Sequence, residues 1–116
     1  MMTIDMPRKD KPYAELHVDG KLRAEDYDAM IPKLEQAIAE QGKLRCLVAL
    51  DDFAGFTPSA LADELKFDVR HHDDFERCAI VGDSKLEEIA TKLTAPFFSG
   101  EVRFFEDAAK ARKWLS

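Results

Sequence analysis

The chain has 116 residues, 46% of them hydrophobic and 34% charged, and a formal net charge of −6. This length fits one domain with a core of its own, and the apolar share excludes a disordered chain. The acidic balance argues against a nucleic-acid partner and against non-specific adhesion to anionic membranes, leaving room only for a local basic patch.

Thr3–Met6 reads as a short first strand, followed by a polar turn through Arg8, Lys9, Asp10, Lys11 and Pro12. Tyr13–Val18 alternates with a period of two and pairs with it as a hairpin closed by Gly20. Ala24–Gln41 is the clearest helix: Tyr27, Met30, Ile31, Leu34, Ala37 and Ile38 form one apolar stripe. Glu25 and Asp26 suit its positive N-terminus, and Gly42 ends it. Cys46–Leu50 is an unbroken apolar run between helices, the pattern of a buried parallel strand. Asp51–Phe56 reads as a loop.

Thr57-Pro58 starts the next helix, with threonine as N-cap and proline in the first turn. Leu61, Leu65, Val69 and His72 make its expected core stripe. Phe67 falls about 120° from that stripe, at about 100° per residue, beside Ala60, Glu64 and His71. It either exposes its ring or packs under a neighbouring element. Cys78–Val81 is a further buried strand. Ser84-Lys85-Leu86-Glu87 is a capping box for a helix whose core face is Leu86, Ile89, Ala90 and Leu93, stopped by Pro96. Val102–Phe105 is the last strand, and Asp107–Leu115 a short terminal helix. The order ββαβαβαβα, with about four helices, predicts an α/β domain spanning 1–116 with a mostly parallel sheet and an antiparallel first strand.

Cys46 and Cys78 lie in apolar runs without Cys-x-x-Cys spacing, which reads as two buried free thiols in a reducing compartment. No run of about 18 apolar residues occurs, and Met1–Asp10 lacks an apolar signal core; the expected location is the cytoplasm.

Several stretches, in order, resemble the SpoIIAA-like proteins, a branch of the STAS domain superfamily. They are Gly20-Lys21-Leu22 with Ala24-Glu25-Asp26-Tyr27, then Leu47–Leu50 with Asp51-Asp52-Phe53 and Gly55. Lys66-Phe67, His71-His72, Asp74-Phe75-Glu76-Arg77 and Ala79-Ile80-Val81-Gly82-Asp83 follow, and Ala95-Pro96-Phe97-Phe98 and Trp114-Leu115 complete the set. The resemblance implies a STAS-like fold, a sheet backed by helices on one main side. The anti-sigma-factor antagonists of that superfamily carry an Asp-Ser pair whose serine is phosphorylated at the start of the helix after the central strand. The matching pair here is Phe56-Thr57, so the aspartate is absent and threonine, followed by Pro58, replaces the serine. The branch also resembles CRAL-TRIO lipid-transfer domains in fold, which implies an apolar ligand or a membrane surface.

Open parallel sheets bind ligands beyond the carboxyl ends of their strands. Phe53 and Phe56 flank Gly55 at such an end, and with Phe67 and Phe98 they are the expected wall of an apolar cleft. Thr57 is the candidate phosphorylation and partner-docking position. His71 and His72 are adjacent and point about 100° apart on a helix, which does not favour one metal ion. Asp51, Asp52, Asp83, Glu106 and Asp107 all follow strands and make an acidic rim of the kind that holds magnesium, but no phosphate-cradling glycine loop accompanies them. No cofactor is expected. Lys110, Arg112 and Lys113 suit the negative end of their helix, and beside Trp114 they also suit a membrane interface. The reading is therefore a non-catalytic module that binds an apolar small molecule or lipid, with peripheral membrane contact. The alternative is a regulator that docks a protein partner around Thr57. A homodimer is compatible with either.

Overall fold

The computed structural model describes residues 2–71, 73–83 and 100–116, with backbone alone at 52, 53 and 68. In chain order the elements are β1 (Met2–Asp5), β2 (Ala14–Leu22), α1 (Ala24–Gln41), β3 (Leu44–Phe56), α2 (Pro58–Arg70), β4 (Phe75–Val81), β5 (Glu101–Phe105) and α3 (Ala108–Leu115). The helix expected after Ser84, together with Phe97, Phe98 and His72, lies outside the described residues. The five strands form one sheet in the order β1-β2-β3-β4-β5. β1 is antiparallel to β2 and every other pair is parallel. This is the predicted α/β class.

Arg8 and Lys11 exchange backbone hydrogen bonds of 2.8 and 3.1 Å and close the β1–β2 turn. α1 starts at Arg23, whose N–H donates to the Asp26 carboxylate at 2.9 Å. Its buried residues Tyr27, Met30, Leu34 and Ala37 recur at three and four. The larger three each stabilise the fold by about 1.5–3 kcal/mol of removed apolar surface. The helix runs through Pro32. Proline cannot donate to the Asp28 carbonyl, but both residues are exposed and water can replace the lost bond. Gly42 ends α1 with its N–H donating to the Ile38 carbonyl at 2.8 Å.

β3 is longer than its apolar run. The stretch Asp51–Phe56, expected as a loop, continues the strand and pairs with β2 up to Leu22↔Phe56. Between Asp19↔Asp51 and Lys21↔Gly55, β2 advances two residues and β3 four, so β3 carries the surplus as an irregularity. Gly55 adopts φ +98°, which residues with a Cβ rarely accept. The acids and glycine that read as loop are the residues of this irregularity. At the other end of the sheet, Gly100 passes β4 so closely that a Cβ would lie 2.5 Å from the Phe75 carbonyl oxygen. Only glycine permits that approach.

The two sheet faces carry separate cores. α1 and α2 cover one face, with Leu16, Val18, Cys46, Cys78 and Ile80 beneath them. α3 covers the other, over Tyr13, Leu47, Ala49 and Ala79. Successive strand residues point to opposite faces, which is why Cys46 and Leu47 serve different cores.

α2 is rotated from its expected setting. Ala60, Phe67 and His71 are buried, Leu61 and Leu65 are half-buried, and Val69 is 57% exposed. Phe67 therefore packs beneath α2, and the leucine–valine stripe lies on its outer flank. Its ring meets Phe75 edge-on at 6.0 Å and His71 at 4.7 Å. A ring of that size buries more apolar area than the small side of a valine, and it decides which flank turns inward.

Candidate functional site

The strand-to-helix junction at Phe56-Thr57-Pro58, between β3 and α2, is fixed from both sides. The Thr57 N–H donates to the Leu22 carbonyl at 2.8 Å. Its Oγ1 accepts from the Ala60 N–H at 3.2 Å, which satisfies one of the unpaired donors of the first turn. The hydroxyl also lies 3.4 Å from Ser59 Oγ and is half-buried.

Of the four phenylalanines expected to line a cleft, Phe56 is partly buried against the first core, and Phe67 belongs to it at 6% exposure. Phe53 sits in the irregular part of β3, with its side chain outside the description, as is the whole of Phe98. The partly exposed apolar flank of α2 is instead Leu61, Leu65 and Val69.

At the end of α2, His71 bridges to α1. Its Nδ1 lies 2.7 Å from Asp74 Oδ2 and its Nε2 3.3 Å from Glu35 Oε2. Glu35 also lies 3.9 Å from Arg70. His71 Nε2 is shut off from solvent and lacks an aligned hydrogen-bond partner among the described residues. The sequence shows His71 as a polar residue at a helix end; its link to Glu35, 36 positions earlier, has no local signal.

Cys46 and Cys78 are register partners on β3 and β4, both buried and free. Hydrogen bonding to Cys78, then burial, pushes the Cys46 thiol well above its usual range. A thiol so held is a poor nucleophile and metal ligand. Among the described residues no three histidine, cysteine or acidic side chains converge on a metal position. Of the acidic rim, Asp107 caps α3, its Oδ1 accepting from the Ala109 N–H at 2.9 Å.

The second face carries most of the polar chemistry. Glu15 is buried on β2, accepting from Lys11 at 2.6 Å and from Arg112 at 2.8 and 3.0 Å. Burial works against its charge, but the hydrogen bonds from Lys11 and Arg112 outweigh burial and hold the carboxyl below its usual range. Arg45 and Arg77, register partners on β3 and β4, reach the end of α3. Arg45 donates to the Leu115 carbonyl and Arg77 to the Trp114 carbonyl, each at 2.8 Å. Those carbonyls have no intrahelical donor, and a cation there also suits the helix dipole. The guanidinium carbons of Arg77 and Arg103 each lie 5.2 Å from the Trp114 ring centre, and Phe105 lies 5.7 Å from it. Sequence reasoning placed lysines and tryptophan on this helix and missed the strand arginines. Their odd positions on β4 and β5 put them on the α3 face, a signal readable only once the register is known.

A family model for SpoIIAA-like proteins matches residues 13–116. The chain belongs to the SpoIIAA-like family. Among solved structures, an uncharacterised DUF3478-family protein with a SpoIIAA-like fold from Shewanella loihica PV-4 is 36% identical and superposes with a TM-score of 0.86. The match covers 99% of this chain and 94% of that one. Comparison with the curated proteins finds no match. The resemblance read from the ordered motifs is thus the true relationship, and with it the STAS-type fold. Among the described residues, no helix of this SpoIIAA-like protein is long and apolar enough to cross a membrane.

Proposed function

We propose that this SpoIIAA-like protein is a non-catalytic cytoplasmic module that binds an apolar small molecule or lipid alongside α2. The observation that carries the reading is that α2 is apolar on two flanks. Ala60 and Phe67 supply the buried flank that the core requires, while half-buried Leu61 and Leu65 and exposed Val69 form a second apolar strip beside it. One flank suffices for folding, so the second calls for another use. In this reading Leu61 and Leu65 touch the ligand first. Phe56 and Phe67 line the inner side reached as α2 lifts from the sheet.

Native mass spectrometry after incubation with a membrane lipid extract tests it. A stoichiometric adduct whose extracted component is apolar is the expected result. Leu61→Gln with Leu65→Gln removes the adduct while circular dichroism stays unchanged. A clean apo mass from the wild-type protein after that incubation overturns the reading. Polar substitution of Phe67 is a poorer test, because that ring is part of the core.

The second reading is a protein-docking regulator centred on Thr57. What favours it is a half-buried hydroxyl at a helix N-terminus, where a phosphate would meet unpaired N–H groups and a favourable dipole. The hydroxyl is already engaged as a cap, and a cap alone accounts for a threonine there.

A further inference from the structure

The end of α2 is held by a ring that faces two carboxylates. His71 is 9% exposed and caps the helix, its own N–H donating to the Phe67 carbonyl at 2.9 Å. Asp74 Oδ2, 2.7 Å from Nδ1, accepts a hydrogen bond, so Nδ1 carries a proton. The other nitrogen, Nε2, is shut off from solvent and faces Glu35 Oε2 of α1 at 3.3 Å. On a neutral ring that nitrogen is a bare acceptor set against a second acceptor, with no water between them, an arrangement that costs free energy. On an imidazolium both nitrogens donate, one to each carboxylate. Glu35, its side chain 39% exposed, has the freedom to turn into line. The C-terminal end of a helix also favours a cation. Arg70 of α2 reaches Glu35 as well, at 3.9 Å, but its side chain is 67% exposed and solvent screens the contact. Lys43 and Asp73, next to this group in the chain, are exposed. Phe67, its ring centre 4.7 Å from that of His71 and with Phe75 of β4 behind it, closes the apolar side.

We propose that His71 is a proton-operated latch on the last turn of α2. Protonated, it ties that turn to Glu35 of α1. Neutral, it keeps Asp74 and lets go of Glu35, and the turn opens until water reaches Nε2. Histidine ordinarily changes charge between about pH 5 and about pH 8, a range in which carboxylates ordinarily stay ionised. The tie is therefore complete at the acid end and is lost as pH rises. Ala60 and the core beneath α2 stay in place throughout, because apolar burial does not depend on charge. Only the final turn, with exposed Val69 and Arg70, opens. Opening bares the side of the Phe67 ring that stands against His71, and an apolar molecule entering beside α2 needs that side. In this purpose the latch rests on the ligand reading; the opening itself requires no ligand.

Amide hydrogen exchange, followed by nuclear magnetic resonance on the protein alone, tests the latch, with each rate corrected for the pH dependence of exchange itself. Protection of the His71 N–H is expected to fall roughly tenfold between about pH 5.5 and about pH 8, while that of the Leu61 N–H in the first turn of α2 is unchanged. The ring nitrogen signals of His71 titrate within the same interval. Glu35→Gln, a change near the surface, supplies a side-chain amide that donates to a neutral Nε2 and accepts from a protonated one, so protection of the His71 N–H stays high at both values. Equal protection in the wild type at the two pH values overturns the latch, as does a fall of the same size in Glu35→Gln. So does a His71 ring whose charge does not change over the interval. No lipid is present, so failure of the latch and failure of the ligand reading are separate results. With a membrane lipid extract added, the adduct is expected to form faster at the higher pH in the wild type and equally fast at both in Glu35→Gln. Equal rates in the wild type overturn the coupling of the latch to the ligand.

Discussion

The two faces of the sheet are closed by different physics. On the α1/α2 face, long helices bury Tyr27, Met30, Leu34 and Phe67, and the hydrophobic effect supplies most of the stabilisation. On the other face, α3 has eight residues, too few to be helical alone, and buries little beyond Ala111 and Leu115. Charge-assisted hydrogen bonds from Arg45, Arg77 and Arg112 hold it in place. Such bonds contribute about 1.5–3 kcal/mol each where buried and less where solvent screens them. An apolar face tolerates changes of pH and salt. A face held by partly exposed ions responds to both.

Three substitutions sharpen or break that contrast. The largest effect is expected at Phe67→Ala, which leaves a cavity between α2 and the sheet and costs about 3–5 kcal/mol in urea unfolding. The loss should be the same at low and high salt; a salt-dependent loss would mean that the His71–Glu35–Asp74 group, not apolar contact, secures α2.

Glu15→Gln comes next, at about 1–3 kcal/mol, because Lys11 and Arg112 lose a charged partner. The folded Glu15 carboxyl titrates below its ordinary 4.5. Its contribution is therefore complete above that value and is lost as pH falls through the lower folded value. Wild-type stability should drop across this acid range more steeply than that of the glutamine variant. Parallel curves for the two proteins would remove Glu15 from the account of the α3 face.

The smallest change is Thr57→Ala, about 1 kcal/mol from a lost cap, whereas Thr57→Ser keeps the acceptor and costs a few tenths. Equal midpoints for the alanine and serine variants would mean that the hydroxyl does not cap α2 in solution.

The same contrast explains what was legible beforehand. α1 reads cleanly because its apolar stripe, its acidic first turn and Gly42 agree. The Thr57-Pro58 start of α2 is equally plain, because a cap is a local device. The setting of α2 is not local. Two stripes compete on one helix, and the larger Phe67 prevails only because β4 brings Phe75 against it. The extension of β3 through Asp51–Phe56 was hidden for a similar reason. Acids and a glycine speak for a loop, and the pairing with β2 that overrides them comes from a segment some 30 positions earlier. On the α3 face the lysines and tryptophan were visible. The arginines that meet them were not, since Arg45, Arg77 and Arg103 converge only after the strands are in register. The expected cleft rested on four phenylalanines taken together; Phe56 and Phe67 turn out to share the first core.

The bond between Glu15 and Arg112 joins residues 97 positions apart, and that between Arg45 and Leu115 spans 70. Contacts of that separation form late, after shorter loops have closed. During synthesis the α1/α2 side can assemble while Arg112 is still within the ribosome, leaving Leu47, Ala49 and Ala79 temporarily uncovered. The nascent chain therefore passes through a stage with one sticky side. Arg45 and Arg77 border that side and receive the end of α3 when it arrives, through the Leu115 and Trp114 carbonyls.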